Sequence, residues 1–114
     1  MPTDRPTSRM ELLRGTLDLL ILKSLSIEAM HGYGIARHLR QVSREMLQVE
    51  EGSLYPALQR MRQKGWIKAE WGQTPNNQRA RYYTITAAGR KQLQAERTSL
   101  AQMFEAITLV MEHS

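Results

Sequence analysis

The stretch that decides the fold is residues 51–86, EGSLYPALQRMRQKGWIKAEWGQTPNNQRARYYTIT. It predicts a short helix over Ser53–Lys64, which Gly65 ends. Two strand-like runs follow, Trp66–Trp71 and Arg81–Thr86, joined by a turn-rich polar loop. A helix that leads directly into a β-hairpin is typical of the end of a winged helix-turn-helix.

Positive charge is concentrated in the same part of the chain. Residues 52–91 contain eight lysines and arginines and one acid, Glu70, so this segment carries +7 against +5 for all 114 residues. Residues 1–51 hold seven basic and seven acidic side chains, and residues 92–114 hold one and three. A positive field on a helix and hairpin favours a polyanion as partner, and a DNA duplex is the obvious one.

The predicted third helix has two faces. Its core stripe consists of Leu54, Leu58 and Met61, with Ser53 as a cap for the N-terminus. A proline is acceptable in the first turn, where an amide hydrogen would have no partner. The positions that point away from the core at 100° per residue are Pro56, Gln59, Arg60 and Gln63. A polar outer face of this kind can lie in a major groove.

The hairpin adds further basic side chains. Its loop, Gly72–Ala80, contains no acid and leads into Arg79 and Arg81, so the wing can approach phosphates. Trp66 and Trp71 fall on opposite faces of one strand, so at most one of them belongs to the core. We interpret both tryptophans as packing residues.

The rest of the chain predicts two earlier helices and one later helix. Residues 1–9 are expected to form a flexible tail, residues 10–86 the winged helix-turn-helix, and residues 87–114 a C-terminal dimerisation helix. The first helix, about 10–27, is apolar almost all round and should be buried, with a polar strip of Arg14, Asp18 and Lys23. Residues 31–34 predict a turn, and residues 34–43 a second helix. The fold class is mostly α with a small β-hairpin.

The last helix should mediate dimerisation. Its apolar residues fall close to a heptad spacing, and a domain this small has no spare core to bury them. We expect this stripe to pack against the first helix and against a second chain. The residues assigned to the interface are Leu13, Leu17, Leu93, Leu100, Met103, Phe104, Ile107, Val110 and Met111.

Enzymatic and membrane functions find little support in the sequence. The chain has no cysteine, which excludes disulfides and thiolate metal sites and suits a reducing cytoplasm. No apolar run is long enough to span a bilayer, and the N-terminus lacks the apolar core of a signal peptide. The three histidines are isolated, and no phosphate loop or nucleophile motif occurs. We therefore expect no catalytic residues, no cofactor, no metal and a cytoplasmic location.

Five sequence blocks, in order, resemble the PadR-like transcriptional regulators. They are LRGTLD at 13–18, HGYGI at 31–35, GSLYPAL at 52–58, GWI at 65–67 and RYYTITAAG at 81–89. The single long C-terminal helix is similar to the short subclass of that family. The resemblance implies a homodimeric winged-helix DNA-binding protein, often a repressor, and dimerisation through the last helix. Some members respond to phenolic or drug-like molecules. Some use a tryptophan of the dimer-forming helix to stack flat drugs, and the last helix of this chain has no tryptophan.

Ten residues are candidates for DNA contact: Tyr33, Arg37, Ser53, Tyr55, Gln59, Arg60, Lys64, Asn77, Arg79 and Arg81. Several have another interpretation. Tyr55 flanks the apolar stripe and could pack in the core, although the resemblance associates this tyrosine with DNA. Arg37 could belong to an ordinary polar helix face, and Arg79 and Arg81 could form cross-strand pairs.

The functional hypothesis is a sequence-specific DNA-binding regulator, a repressor that acts as a homodimer on a palindromic operator. The alternative is a winged-helix protein–protein interaction module without specific DNA binding. A small aromatic or drug-like effector that binds in the dimer interface is compatible with the main hypothesis.

Overall fold

The computed structural model describes the backbone of residues 6–114 and the side chains from residue 15 onward. Four helices and a three-stranded antiparallel sheet follow one another along the chain. Their bounds are α1 Pro6–Ile27, β1 Met30–His31, α2 Gly32–Val42, α3 Glu51–Gln63, β2 Ile67–Gln73, β3 Arg79–Ile85 and α4 Ala87–Glu112. The predicted fold class, mostly helical with a small hairpin, is therefore confirmed.

Helix α1 is the centre of the core, as its apolar sequence predicts. Ile21 and Leu22 are fully buried, and Leu25 is 3% exposed. The helix begins at Pro6, so the expected flexible tail, residues 1–9, overlaps its first turns. The predicted start at residue 10 was wrong. Leu13 lies outside the residues whose side chains are described.

Helix α3 packs its predicted stripe against α1. Leu54, Leu58 and Met61 are each at most 1% exposed. The predicted cap was wrong, because the helix begins at Glu51 and its N-cap is Glu50, which makes no side-chain hydrogen bond to the first turn. Gly65 ends the helical segment with φ 78°, a left-handed conformation that glycine adopts without steric cost.

The sheet is larger than the sequence pattern predicted. Strands β2 and β3 pair from Ile67–Ile85 out to Gln73–Arg79, so much of the expected loop is strand. Residues 31–34 are not a simple turn: Met30 and His31 form β1, which pairs with Tyr83 and Tyr82 of β3, and α2 begins at Gly32. Local propensity could not show β1, because its partner strand lies about fifty residues later in the sequence.

Helix α4 leaves the domain after its first turns. Thr86 caps it by accepting a hydrogen bond from the Gly89 backbone N–H at 3.0 Å. Leu93 is 8% exposed and belongs to the core of its own chain, so little of its side chain is open to a partner chain. Leu100 still packs partly on that core, whereas every residue from 101 to 114 is exposed.

Candidate nucleic-acid interface

A groove of about 980 Å³ lies between the start of α2, the outer face of α3 and the β2–β3 hairpin. The three elements meet here because α3 and the hairpin both pack on α1, while β1 holds the start of α2 against β3. The side chains that could contact a ligand in the groove are Tyr33, Arg37, Tyr55, Gln59, Arg62, Trp71, Arg79 and Arg81.

Helix α3 contributes three of these side chains at positions i, i+4 and i+7. Tyr55, Gln59 and Arg62 therefore lie along one exposed face of the helix. The opposite face is buried in the core, so the register of this polar face is fixed by packing. The arrangement presents a phenol, an amide and a guanidinium in one row.

The ring of Tyr55 packs closely against Gly32. A Cβ atom built at Gly32 would lie 2.6 Å from the Tyr55 hydroxyl oxygen, so only glycine leaves room for the ring. Partial burial, and secondarily the Glu51 carboxylate and Tyr83, raise the pKa of the Tyr55 phenol above 10.0. The phenol is therefore neutral at physiological pH and can donate a hydrogen bond to a phosphate oxygen.

Tyr33 is positioned by the residue that caps α2. The His31 Nδ1 atom accepts a hydrogen bond from the Gly34 backbone N–H at 3.0 Å. The His31 ring stacks with Tyr33 at 6.4 Å and meets the edge of Tyr82 at 5.3 Å. Tyr33 is 59% exposed and lines the groove.

The charged side chains that line the groove are all basic. Its lining contains four arginines, Arg37, Arg62, Arg79 and Arg81, and none of its described lining residues is acidic. Arg79 and Arg81 both lie over the ring of Trp71, with their Cζ atoms 4.6 Å and 5.6 Å from its centroid. Four guanidinium groups around one concave surface favour a polyanionic ligand.

Six of the ten predicted contact residues lie together in this groove: Tyr33, Arg37, Tyr55, Gln59, Arg79 and Arg81. Ser53 is exposed but faces a different cavity, next to α1. Lys64 lies at the far end of α3, with its Nζ atom 4.8 Å from the centroid of Trp66. Asn77 is exposed in the hairpin turn, where its φ is 64°.

The predicted outward orientation of Arg60 was wrong. Its Nη2 atom lies 2.5 Å from Asp18 Oδ1, in an ion pair that links α3 to α1. Asp18, expected in an exposed polar strip, is only 7% exposed. Burial raises the pKa of the Asp18 carboxyl above 3.8, and the Arg60 guanidinium opposes that effect only in part.

Two groove residues were absent from the predicted set. Arg62 could have been found from the i, i+4, i+7 relation to Tyr55 and Gln59. Trp71 could not, because its exposure of 58% depends on how far the hairpin extends beyond the core. The pairing of Trp71 with Arg81 across the two strands also depends on the register.

In the part of the chain that the structure describes, no helix is long and apolar enough to cross a membrane. No group of three or more histidine, aspartate or glutamate side chains is arranged there to hold a metal ion.

A winged helix with a basic groove formed by its third helix and its wing defines a class of DNA-binding proteins. The family model described as "Transcriptional regulator PadR-like family" matches residues 21–95. The chain therefore belongs to the PadR-like family of transcriptional regulators.

Individual relatives agree with that assignment. An uncharacterized protein of Lysinibacillus sphaericus is 31% identical over 104 residues, which is 91% of this chain and 95% of the relative. A transcriptional regulator from Clostridium thermocellum superposes with a TM-score of 0.79 at 28% identity, covering 86% of this chain and 95% of that one. A PadR-like transcriptional regulator from Bacillus cereus gives 0.76 at 27% identity, covering 91% and 99%.

Proposed function

We propose that the protein represses transcription by binding a palindromic operator as a homodimer in the cytoplasm. The observation that carries this proposal is the groove, where four arginines, the two exposed tyrosines Tyr33 and Tyr55, and Gln59 lie together without an acidic neighbour in the lining. Arginine and tyrosine side chains of this kind contact phosphates, and glutamine can pair with the edge of a base. The family to which the chain belongs supports the same conclusion.

The dimer is part of the proposal because α4 carries apolar side chains with no cover in the monomer. Met103, Phe104 and Ile107 are 48%, 60% and 49% exposed, and Val110 and Met111 are more exposed still. An apolar patch of this length is unusual on a monomer and is typical of an interface. In a dimer, two copies of α3 would enter successive major grooves about 34–36 Å apart.

The proposal can be tested by fluorescence anisotropy. The protein is titrated into labelled duplexes, one from the DNA upstream of its own gene and one scrambled, at several salt concentrations. Preference for the upstream duplex that persists at physiological salt is expected. The log of the affinity should fall against the log of the salt concentration by roughly 0.9 per phosphate neutralised. A flat salt dependence would contradict the proposal.

The alternative, a protein–protein adaptor, predicts a neutral or acidic outer face on α3. The face observed instead contains Tyr55, Gln59 and Arg62, and it opens into a groove with three more arginines. If the protein binds both duplexes equally and loses that binding on addition of salt, the result would favour the protein–protein adaptor.

A small-molecule effector is a second, compatible proposal, and one observation favours it. A separate cavity of about 400 Å³ lies between α1, the 47–50 segment and the start of α3, lined by Leu17, Leu20 and Val49 among others. Cavities of this size and apolar character accommodate small molecules. A panel of aromatic compounds in a thermal-shift assay tests it, because a ligand of the native state raises the melting midpoint. No shift with any compound would speak against an effector of this class.

A further inference from the structure

The exposed tryptophan of the hairpin has no role in the core. Trp71 is 58% exposed and is not among the residues packed against the core, whereas Trp66 packs partly against it. An indole ring in water is unfavourable unless something covers it. Here the cover is cationic, because the guanidinium groups of Arg79 and Arg81 both lie over the ring.

The register of the hairpin explains why two arginines reach one ring. Trp71 is the direct cross-strand partner of Arg81, and Gln73, two residues further out, is the partner of Arg79. Arg79 and Arg81 are two residues apart on β3 and therefore share a face of the strand. The acid on the neighbouring strand, Glu70, pairs with Tyr82 and belongs to the opposite face.

The two guanidinium groups are left without an anion. Among the residues with described side chains, neither Arg79 nor Arg81 forms an ion pair. The Arg81 Nε atom is buried and has no hydrogen-bond partner. Two like charges over the same ring repel each other, and the face of the indole offsets that repulsion only weakly in water. A phosphate between them would supply the missing negative charge.

We propose that Trp71 is a positioning residue that holds Arg79 and Arg81 as a two-cation clamp for a DNA backbone phosphate. The clamp rests on the proposed function, since it assigns part of the groove to the phosphate backbone rather than to base edges. Stacking on the ring orders two long side chains before DNA arrives, so less conformational entropy is lost on binding. The clamp strengthens binding to any sequence and aligns α3 in the adjacent groove.

The test compares Trp71→Leu, Trp71→Phe, the double variant Arg79→Ala/Arg81→Ala, and the triple variant that adds Trp71→Leu to it. Each is titrated against a labelled duplex of the protein's own upstream DNA over a range of salt concentrations. Circular dichroism melting verifies that each variant is folded; the exposure of Trp71 makes an unchanged midpoint the expectation.

Trp71→Leu should weaken binding about 5- to 30-fold, from the loss of order in two side chains. It should also make the salt slope less steep, by up to roughly 0.9 for the one phosphate that the clamp contacts. Trp71→Phe should restore most of the affinity, because it keeps an aromatic face. In the arginine-free background, Trp71→Leu should have no further effect.

Two results would overturn the clamp while leaving the proposed function intact. One is wild-type affinity and salt slope for Trp71→Leu. The other is an equal loss from Trp71→Leu with and without the arginines, which would mean that the indole contacts DNA by itself. If the wild-type protein shows no salt-dependent binding to any duplex, the proposed function fails and the clamp fails with it.

Discussion

Two arginines on α3, two residues apart, have different surroundings and should behave differently when removed. Arg60 pairs with the buried Asp18, whereas Arg62 is exposed and lines the groove. Arg60→Ala leaves a buried carboxylate without its partner and should lower the free energy of unfolding by about 1–3 kcal/mol. Arg62→Ala should change that free energy by less than about 0.5 kcal/mol.

In DNA binding, the Arg62→Ala substitution should have the larger effect and Arg60→Ala the smaller one. Arg62→Ala should weaken binding to all duplexes and reduce the salt slope by roughly 0.9. Arg60→Ala, measured well below its melting temperature, should keep the wild-type slope. Urea unfolding and anisotropy titrations of the two variants make the comparison. A loss of salt slope with Arg60→Ala alone would show that Arg60 leaves Asp18 to reach DNA.

The Asp18 carboxyl gives a prediction about pH. Because burial raises its pKa above 3.8 in the folded state, protonation favours folding. Its contribution to stability is therefore fully present below pH 3.8 and is lost as the pH rises through the folded-state pKa. Asp18→Asn does not titrate and can still accept a hydrogen bond from Arg60, so it isolates this contribution.

We expect the wild type to gain stability relative to Asp18→Asn as the pH is lowered from neutral through that pKa. Urea unfolding of both proteins across the acidic range measures the difference. A loss of relative stability on acidification would mean that the attraction of Arg60 outweighs burial and that the folded-state pKa is lowered.

At the scale of secondary-structure elements, the periodicity of the sequence predicted the features that depend on a single helix or strand. The core stripe of α3 was readable because its residues recur at helical spacing. Thr86 has the sequence signature of a cap of α4 because its hydrogen-bond partner, Gly89, lies in the first turn of the same helix. The α1–α3 ion pair was not, because its members are 42 residues apart in sequence. The polar character of Asp18 and Arg60 favoured exposure, and only the tertiary packing of the two helices explains why Asp18 is buried and Arg60 is partly buried.

The contact between α2 and α3 at the groove gives another prediction. Gly32→Ala places a methyl group against the far end of the Tyr55 side chain, which can swing away because the residue is 44% exposed. The expected result is little change in stability, together with a loss of DNA affinity equal to that of Tyr55→Ala. Gly34→Ala is the control, since its nearest neighbour would be the His31 Cε1 atom at an acceptable 3.4 Å.

Gly34→Ala should keep wild-type DNA affinity and raise stability by up to about 1 kcal/mol, the helix preference of alanine over glycine. Thermal melts and anisotropy titrations are made on the wild type, the three single variants and the Gly32→Ala/Tyr55→Ala double variant. If Gly32→Ala weakens binding further in a Tyr55→Ala background, the glycine acts on the groove by some route other than the phenol.

At the scale of the whole molecule, the exposed end of α4 is the feature that the monomer does not explain. The chain measures 58 × 31 × 28 Å, elongated for a protein of 114 residues. A helix of 26 residues extends about 39 Å, more than the rest of the domain can cover. The apolar residues beyond Leu100 therefore predict a partner helix, and a second copy of α4 fits that requirement.

Ile107→Asp tests that assembly. A carboxylate placed in the predicted seam should abolish the dimer, because an unpaired charge cannot be buried there without a penalty of several kcal/mol. Gln102→Asp is the matched control, since it adds the same charge on the opposite, exposed side of α4. Light scattering and sedimentation velocity should show a monomer or aggregate for the first variant and a dimer for the second.

Because a palindromic operator needs two α3 helices on one particle, Ile107→Asp should also lose specific DNA binding while it retains weak, salt-sensitive binding. A wild-type dimer in the Ile107→Asp variant would place the interface elsewhere.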